Sequence, residues 1–503
     1  MRNFFLIIIS LIFTTSIYSD NLSDKLLFDN VISNDTNNSQ FNYNDTLTIN
    51  SKDTLIISDN NSDNSFSSWI NKIFRGLIGL LSLIFFAYLF SRNRKAINWS
   101  LVFKGLIIQI VLAILILKVQ FVKDGFEWLS SIFVTILGFT REGSLFLFGD
   151  LVENVNSFGF IFAFQVLPTI LFFSALTSLL FYYGILQKLV YVFALVMKKI
   201  MNLSGSESLA AAGNVFLGQT EAPLLIKPYI DKMTMSELLC LMSGGMATIA
   251  GGVLAAYVGF LGGSDPVQQL FFAKHLLAAS VMSAPAAIVA AKMLLPETEK
   301  INEDMSISEE QIGTNALEAI SIGTTQGLKL AVNVGAMLLV FIAFISMANY
   351  FLKDFVGDFS GINNWIVSIT ESRYDGLTLQ FILGYTLAPL TWLMGVCKED
   401  MVLVGQLLGE KTILNEFVAY VSLGDLSSNG SGPFGKFVEE KSIIIATYIL
   451  CGFANFSSIG IQIGGIGSLA PKRKGDLSKL GILALIAGTL ASLLTAVIVG
   501  AIL

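Results

Sequence analysis

Eight long, mostly apolar stretches, at about 70–91, 100–118, 158–183, 238–260, 271–295, 329–351, 443–463 and 480–503, decide what this chain can become. A helix of about 20 apolar residues crosses a bilayer, and inside lipid only helices and closed barrels satisfy their own backbone. A barrel would show short segments of alternating polarity rather than unbroken apolar runs, so the expected fold class is an all-α polytopic membrane protein. Charged residues make up only 14% of the chain, against about 25% in soluble domains. A net charge of −6 argues against a nucleic-acid partner, since a phosphate backbone needs a basic face. Cys240, Cys397 and Cys451 show no CxxC spacing and support neither a disulfide framework nor a zinc site. The single histidine, His275, opens an apolar run and is read as a packed or interfacial residue. No HExxH and no GxSxG at a helix start occur, so nothing points to an enzyme.

Residues 1–19 have the layout of a signal peptide, with Ser19 a cleavage candidate. Residues 20–66, crowded with Asn, Asp, Ser and Thr, have the composition of a disordered tail, which an exported N-terminus would put outside the cytoplasm. Eight spans from that start bring Arg92, Arg94 and Lys95, then Lys198 and Lys199, then Lys472, Arg473 and Lys474 to the cytoplasmic side, as the positive-inside rule requires. Lys72 and Arg75, at the outer end of the first span, run against it locally. The 297–328 segment is then a cytoplasmic connection. Residues 67–157 are expected to hold the N-terminal spans, with 126–140 and 144–152 as two interfacial helices separated by Arg141, Glu142 and Gly143. Residues 158–503 form the remaining core.

Within that core, stretches 205–226 and 379–423 are partly apolar but broken by Gly, Pro and polar residues. They read as re-entrant hairpins, which membrane depth tolerates only where protein or a watery cavity surrounds them. Each precedes a Gly-broken helix, 243–260 and 451–467. An odd number of spans separates the two copies, so the second enters from the opposite face. Paired interrupted segments in inverted halves point to a transporter's midplane site.

Two carboxylates in these stretches stand out, Glu221 and Glu416, and a charge at bilayer depth costs at least ~2.5–3.5 kcal/mol, so it is usually functional and paired. Gln219 and Thr220 beside Glu221 can read the edge of a polar heterocycle. Glu416, next to Asn415, can accept hydrogen bonds from sugar-like hydroxyls. Asn455 and Ser458 lie three apart on one helical face, with the aromatic Phe453 close by. The bland readings stay open: close-packing and interhelical bonds for Asn455 and Ser458, and structural ion pairs with Lys227 or Lys411 for the two glutamates. Asn214 and Thr248, with carbonyls near Leu217 and Ile249, offer oxygens for a coupling sodium ion, or serve as helix caps. One charge crossing 100 mV yields about 2.3 kcal/mol, enough at about 1.4 kcal/mol per tenfold for roughly fifty-fold accumulation of a neutral solute.

The motifs GNVFLGQTEAPLLIKPY, TIAGGVLAAY, SAPAAIVAAKMLLPETE, GTTQGLKLAVNVGAMLLVFIAFI, LQFILGYTLAPLTWLMGV, NEFVAY and CGFANFSSIGIQIGGIG, in this order, resemble the concentrative nucleoside transporters over roughly residues 75–503. The resemblance implies an eight-span bacterial-type nucleoside symporter with two re-entrant hairpins, assembled as a homotrimer in the inner membrane. Its transport domain would move as an elevator against a scaffold. By the same resemblance Gln219, Thr220, Glu221 and Val253 contact the nucleobase. Glu416, Asn455 and Ser458 hold the ribose, with Phe453 nearby, and Asn214, Leu217, Thr248 and Ile249 bind sodium. Thr248 stands where Ser is common, but both residues carry a hydroxyl. The GQTEAPL form resembles sodium-coupled members, with proton coupling through Glu221 or Glu416 the alternative. No other cofactor is implied.

Overall fold

A computed structural model describes residues 64–158, 161–263, 265–301, 305, 313–428, 430 and 435–503. The expected signal peptide, and all of the expected tail before residue 64, lie outside them. The described chain is helical: α1 (Asn64–Leu89), α2 (Trp99–Lys118), α3 (Gln120–Phe148), α4 (Leu167–Tyr182), α5 (Ile185–Met201) and α6 (Gly205–Phe216) lead to α7 (Met235–Ala247), α8 (Gly251–Gly262) and α9 (Pro266–Leu294). There follow α10 (Ala316–Tyr350), α11 (Leu379–Leu393), α12 (Met401–Ile413), α13 (Glu416–Ser428), α14 (Glu440–Leu450), α15 (Phe456–Leu469) and α16 (Lys474–Ile502). Among the described residues eight helical stretches are long and apolar enough to cross a membrane.

They form two classes. The α7–α8 pair, α9 and α16 are mostly buried, whereas α1, α3 and α10 bury only a narrow stripe and leave apolar side chains such as Phe74, Phe139 and Phe344 exposed. A helix exposed to hydrocarbon needs no polar outer face, because lipid tails are as apolar as leucine.

Two expectations change. Residues 126–152 do not form two helices separated at Arg141–Gly143, because α3 runs without interruption from Gln120 to Phe148. Arg141, Glu142 and Gly143 face outward on that helix; a glycine costs it only ~1 kcal/mol, too little to end a long helix. The 443–463 stretch is not one span but two half-helices, α14 and α15, parted at Cys451–Asn455.

Each half of the core has the same two interruptions. In the first half α6 ends before an extended Leu217, and α7 ends at an extended Thr248. In the second, α12 and α13 part at Leu414–Asn415, and α14 stops at Cys451. Capping boxes start α6 (Ser204 with Glu207) and α7 (Thr234 with Glu237), satisfying backbone donors that a helix start leaves free. At Gly452 the chain adopts φ +91°, and an added Cβ would lie 2.5 Å from the carbonyl of Ala247. Only glycine permits both that conformation and that approach. The interruptions of the two halves therefore meet backbone to backbone.

Arg75 is accounted for by packing. Its guanidinium donates to the carbonyls of Trp392 (2.6 Å) and Val396 and lies 4.6 Å from the Trp392 ring centre. The charge inside the first span thus fastens the turn between α11 and α12. His275 is buried against Phe271 and Tyr448, as a packed histidine would be.

Candidate functional site

The first interruption turns on Gly218. Its N–H donates to Glu221 Oε2 at 2.5 Å, its carbonyl accepts from the N–H groups of Glu221 and Ala222 at 3.0 and 2.9 Å, and an added Cβ would sit 2.6 Å from that carboxylate. The tight turn presents Gln219, Thr220 and Glu221 in succession. Thr220 and Glu221, with Val253 from the first turn of α8, line a cavity of about 580 Å³ that also touches Ser174, Gln326 and Lys329.

Gln219 points the other way and joins the two halves. Its Nε2 donates to Ser458 Oγ at 3.4 Å, and its Oε1 accepts from Gln462 Nε2 at 3.1 Å. Gln462 also donates to the carbonyl of Met242 at 2.9 Å. The amide is thereby held in one orientation, with its carbonyl toward Gln462.

Glu416 begins α13 and is 3% exposed. Its Oε1 accepts from Tyr257 Oη at 3.0 Å, and its Oε2 accepts from Asn455 Nδ2 at 2.6 Å. Asn455 caps α15 through Oδ1, which accepts from Ser458 N at 2.9 Å and Ser457 Oγ at 2.7 Å. Phe453, also buried, lies in the same interruption. Tyr257 is fully buried and packs on Tyr420 and Phe417, with ring centres 4.2 and 5.0 Å away. Charge-assisted bonds of this kind are the strong ones, so the carboxylate is fixed before any ligand arrives.

The ion-pair reading of Glu416 with Lys411 does not hold. The Lys411 ammonium is spent on the carbonyls of Ile449 and Cys451, both at 2.9 Å, and on Ser492 Oγ at 3.2 Å. Asn214 is sealed in: its Nδ2 reaches the carbonyl of Leu241 at 3.4 Å, while its Oδ1 is buried without a partner. Thr248 Oγ1, at the end of α7, donates to the carbonyl of Gly244 at 2.8 Å. Leu217 and Ile249 stand at the two interruptions and are buried. An orphaned oxygen beside a helix end, with a hydroxyl and backbone carbonyls, is a set of acceptors suited to a small hard cation.

Three polar groups of this region carried no weight in the sequence reading. Gln462 lies four residues after Ser458 and seven after Asn455, so helical spacing puts all three on one face. Tyr257 lies four after Val253, which is the same kind of signal, though a tyrosine in an apolar run is ordinarily just core. The third is an ion pair of Glu207 with Lys292 that continues to Glu297 at 3.3 Å; Glu207 and Lys292 are too far apart in the chain for any local signal.

Paired half-helices whose interruptions bring polar side chains from two inverted halves together define a membrane transporter. Comparison with known proteins makes this specific. Residues 78–151 match the family profile described as Na+ dependent nucleoside transporter N-terminus. Residues 163–264 match nucleoside recognition, and residues 275–500 match Na+ dependent nucleoside transporter C-terminus. An uncharacterized transporter of Haemophilus influenzae is 41% identical over 85% of this chain and 97% of its own length. Sodium/nucleoside cotransporter 1 of Rattus norvegicus is 39% identical over 85% of this chain but 63% of its own length, so the chain spans about three-fifths of that longer protein. The structure of CNTnw in an inward-facing substrate-bound state superposes with a TM-score of 0.76 at 38% identity, covering 86% of this chain and 98% of that one. The chain belongs to the Na+ dependent nucleoside transporter family. Its relatives are transporters, not enzymes.

Proposed function

We propose that the chain is a secondary active importer of nucleosides driven by sodium. The observation that carries this reading is the meeting of Gln219 with Ser458 and of Glu416 with Tyr257 across the two halves. In this reading Gln219, Thr220, Glu221 and Val253 read the nucleobase. Glu416, Asn455 and Ser458 hold the ribose hydroxyls, and Phe453 supplies an aromatic surface. Sodium is taken up by Asn214 Oδ1, the Thr248 hydroxyl and the carbonyls of Leu217 and Ile249, and is carried as a co-substrate.

Alternating access would move the site between the two faces as an elevator, on a homotrimeric scaffold in a bacterial inner membrane with the N-terminus outside. The similar CNTnw exists in inward-facing and, as a variant, outward-facing states, which supports such a cycle here. The test is uptake of labelled uridine by cells stripped of endogenous nucleoside transport, with sodium replaced by choline. Uptake that collapses in choline supports the reading. Full uptake in choline with dependence on external acid would refute sodium coupling and favour protons acting through Glu221 or Glu416. Chemical crosslinking in the membrane would test the trimer.

A further inference from the structure

The two halves treat one equivalent place differently. In the first half, Asn214 lies two residues before the last residue of α6, and its side chain lies against α7, bonded to the carbonyl of Leu241 at mid-helix and next to Gly244 one turn further on. In the second half, Lys411 lies two residues before the last residue of α12, and its side chain faces the C-terminal end of α14. Thr248 directly follows α7, and Cys451 directly follows α14. The two positions thus correspond by register within their helices and by the half-helix that each one packs against.

Their chemistry is opposite. Around Asn214 there are acceptors to spare, with Oδ1 buried and unpartnered. Around Lys411 the acceptors are filled: the carbonyls of Ile449 and Cys451 and the hydroxyl of Ser492 each take one bond from Nζ. That is the full complement of three donors that an ammonium has. Lys411 is 1% exposed, and no carboxylate lies within ion-pair distance of it among the described residues. The charge is held by carbonyls at the C-terminal end of a half-helix, where the helix dipole and unpaired C=O groups favour a cation. Half-helix ends of this kind also coordinate sodium in transporters.

We propose that Lys411 is a tethered cation that occupies, in the second half, the place corresponding to the sodium site of the first. A transporter built from two inverted copies has two such places. Here one is left for an ion that comes and goes with the substrate, and the other is closed by a covalently attached ammonium. The chain would then couple to one sodium per nucleoside, and Lys411 would be the residue that sets this number. It acts as a positioning residue too, because Cys451 begins the interruption that carries Phe453 and Asn455.

The proposal rests on the sodium reading above, and the test separates the two. The full-length protein is reconstituted in liposomes as wild type, Lys411→Asn and Lys411→Arg. Uridine uptake is followed against sodium, with choline holding the ionic strength constant, and thermal unfolding is measured in both salts. Wild type and Lys411→Arg should respond to sodium with first-order dependence. Lys411→Asn should need more sodium, show dependence approaching second order, and gain more thermal stability from sodium than wild type does. A first-order response of Lys411→Asn, with no greater stabilisation by sodium, overturns the proposal and leaves sodium coupling intact. So does a Lys411→Asn protein that is unfolded in both salts, since an available ion should have filled the place. Wild-type uptake indifferent to sodium refutes the coupling reading instead, and the unfolding comparison still decides the role of Lys411.

Discussion

Replacing Glu416 by glutamine tests the proposed ribose contact most directly, because the variant can keep the shape of the site. The glutamine Oε1 can go on accepting from Asn455 Nδ2, and its new NH2 faces the oxygen of Tyr257, which can accept as readily as donate. What changes is charge. A hydrogen bond to a charged group contributes about 1.5–3 kcal/mol and one between neutral groups about 0.5–1.5. Each bond therefore weakens by roughly 1–1.5 kcal/mol. The loss on Tyr257 and Asn455 is present with or without nucleoside and falls on protein stability. The loss on two ribose hydroxyls falls on binding, about 2–3 kcal/mol, or a KM raised roughly 30- to 150-fold. A nucleoside lacking one of those hydroxyls isolates this term. Uptake of uridine and 3′-deoxyuridine would be compared in wild type and Glu416→Gln. The preference for the ribonucleoside should shrink roughly 5- to 12-fold in the variant. If both KM values rise by the same factor, Glu416 does not touch the sugar hydroxyl, and the assignment is refuted.

Thr248→Ala should raise the sodium concentration needed for half-maximal uptake while leaving the uridine KM at saturating sodium unchanged; a sodium titration checks it. Gln462→Leu strips a donor from Gln219 Oε1 and from the carbonyl of Met242. It should lower stability by about 1–3 kcal/mol for each group left unpaired and raise the uridine KM, both measurable on purified protein. Glu297 lies outside the membrane-spanning segments. Burial raises its carboxyl, but Lys292, Thr234 and neighbouring backbone bonds outweigh that and hold it below the usual carboxylate value. Its stabilising effect is therefore full above the ordinary carboxylate pKa and is lost as pH falls through the depressed one. The difference in melting temperature between wild type and Glu297→Gln should be flat near neutrality and shrink in acid.

The interruptions of the first half were legible because Gly218 and Pro223 announce a broken helix beside three polar residues in an otherwise apolar chain. The same contrast exposed the Asn415–Glu416 turn and the Asn455–Ser458 face. It misled at Arg141–Gly143, where a cluster of charge and glycine resembles a helix end although α3 runs through it on an exposed face. Lys411 shows a different limit. Its acceptors lie 38, 40 and 81 residues further along the chain, and no periodicity reports a contact of that separation. Tyr257 fails for a third reason, since a hydroxyl at helical spacing does not reveal whether it has found a carboxylate 159 residues away.

The backbone contact between Gly452 and Ala247 has a consequence for biogenesis. Residues 246 and 247 leave the ribosome some 200 residues before their counterpart, so the first half must wait in the bilayer with its interruption uncovered. Until then Gln219 has neither Ser458 nor Gln462. When Glu416 follows, it has Tyr257 within reach but not yet Asn455. The nascent chain therefore passes through a stage in which buried polar groups lack their partners. That stage ends only when the last two helices arrive, which makes the C-terminal segment the one whose truncation should be least tolerated by the insertion and quality-control machinery.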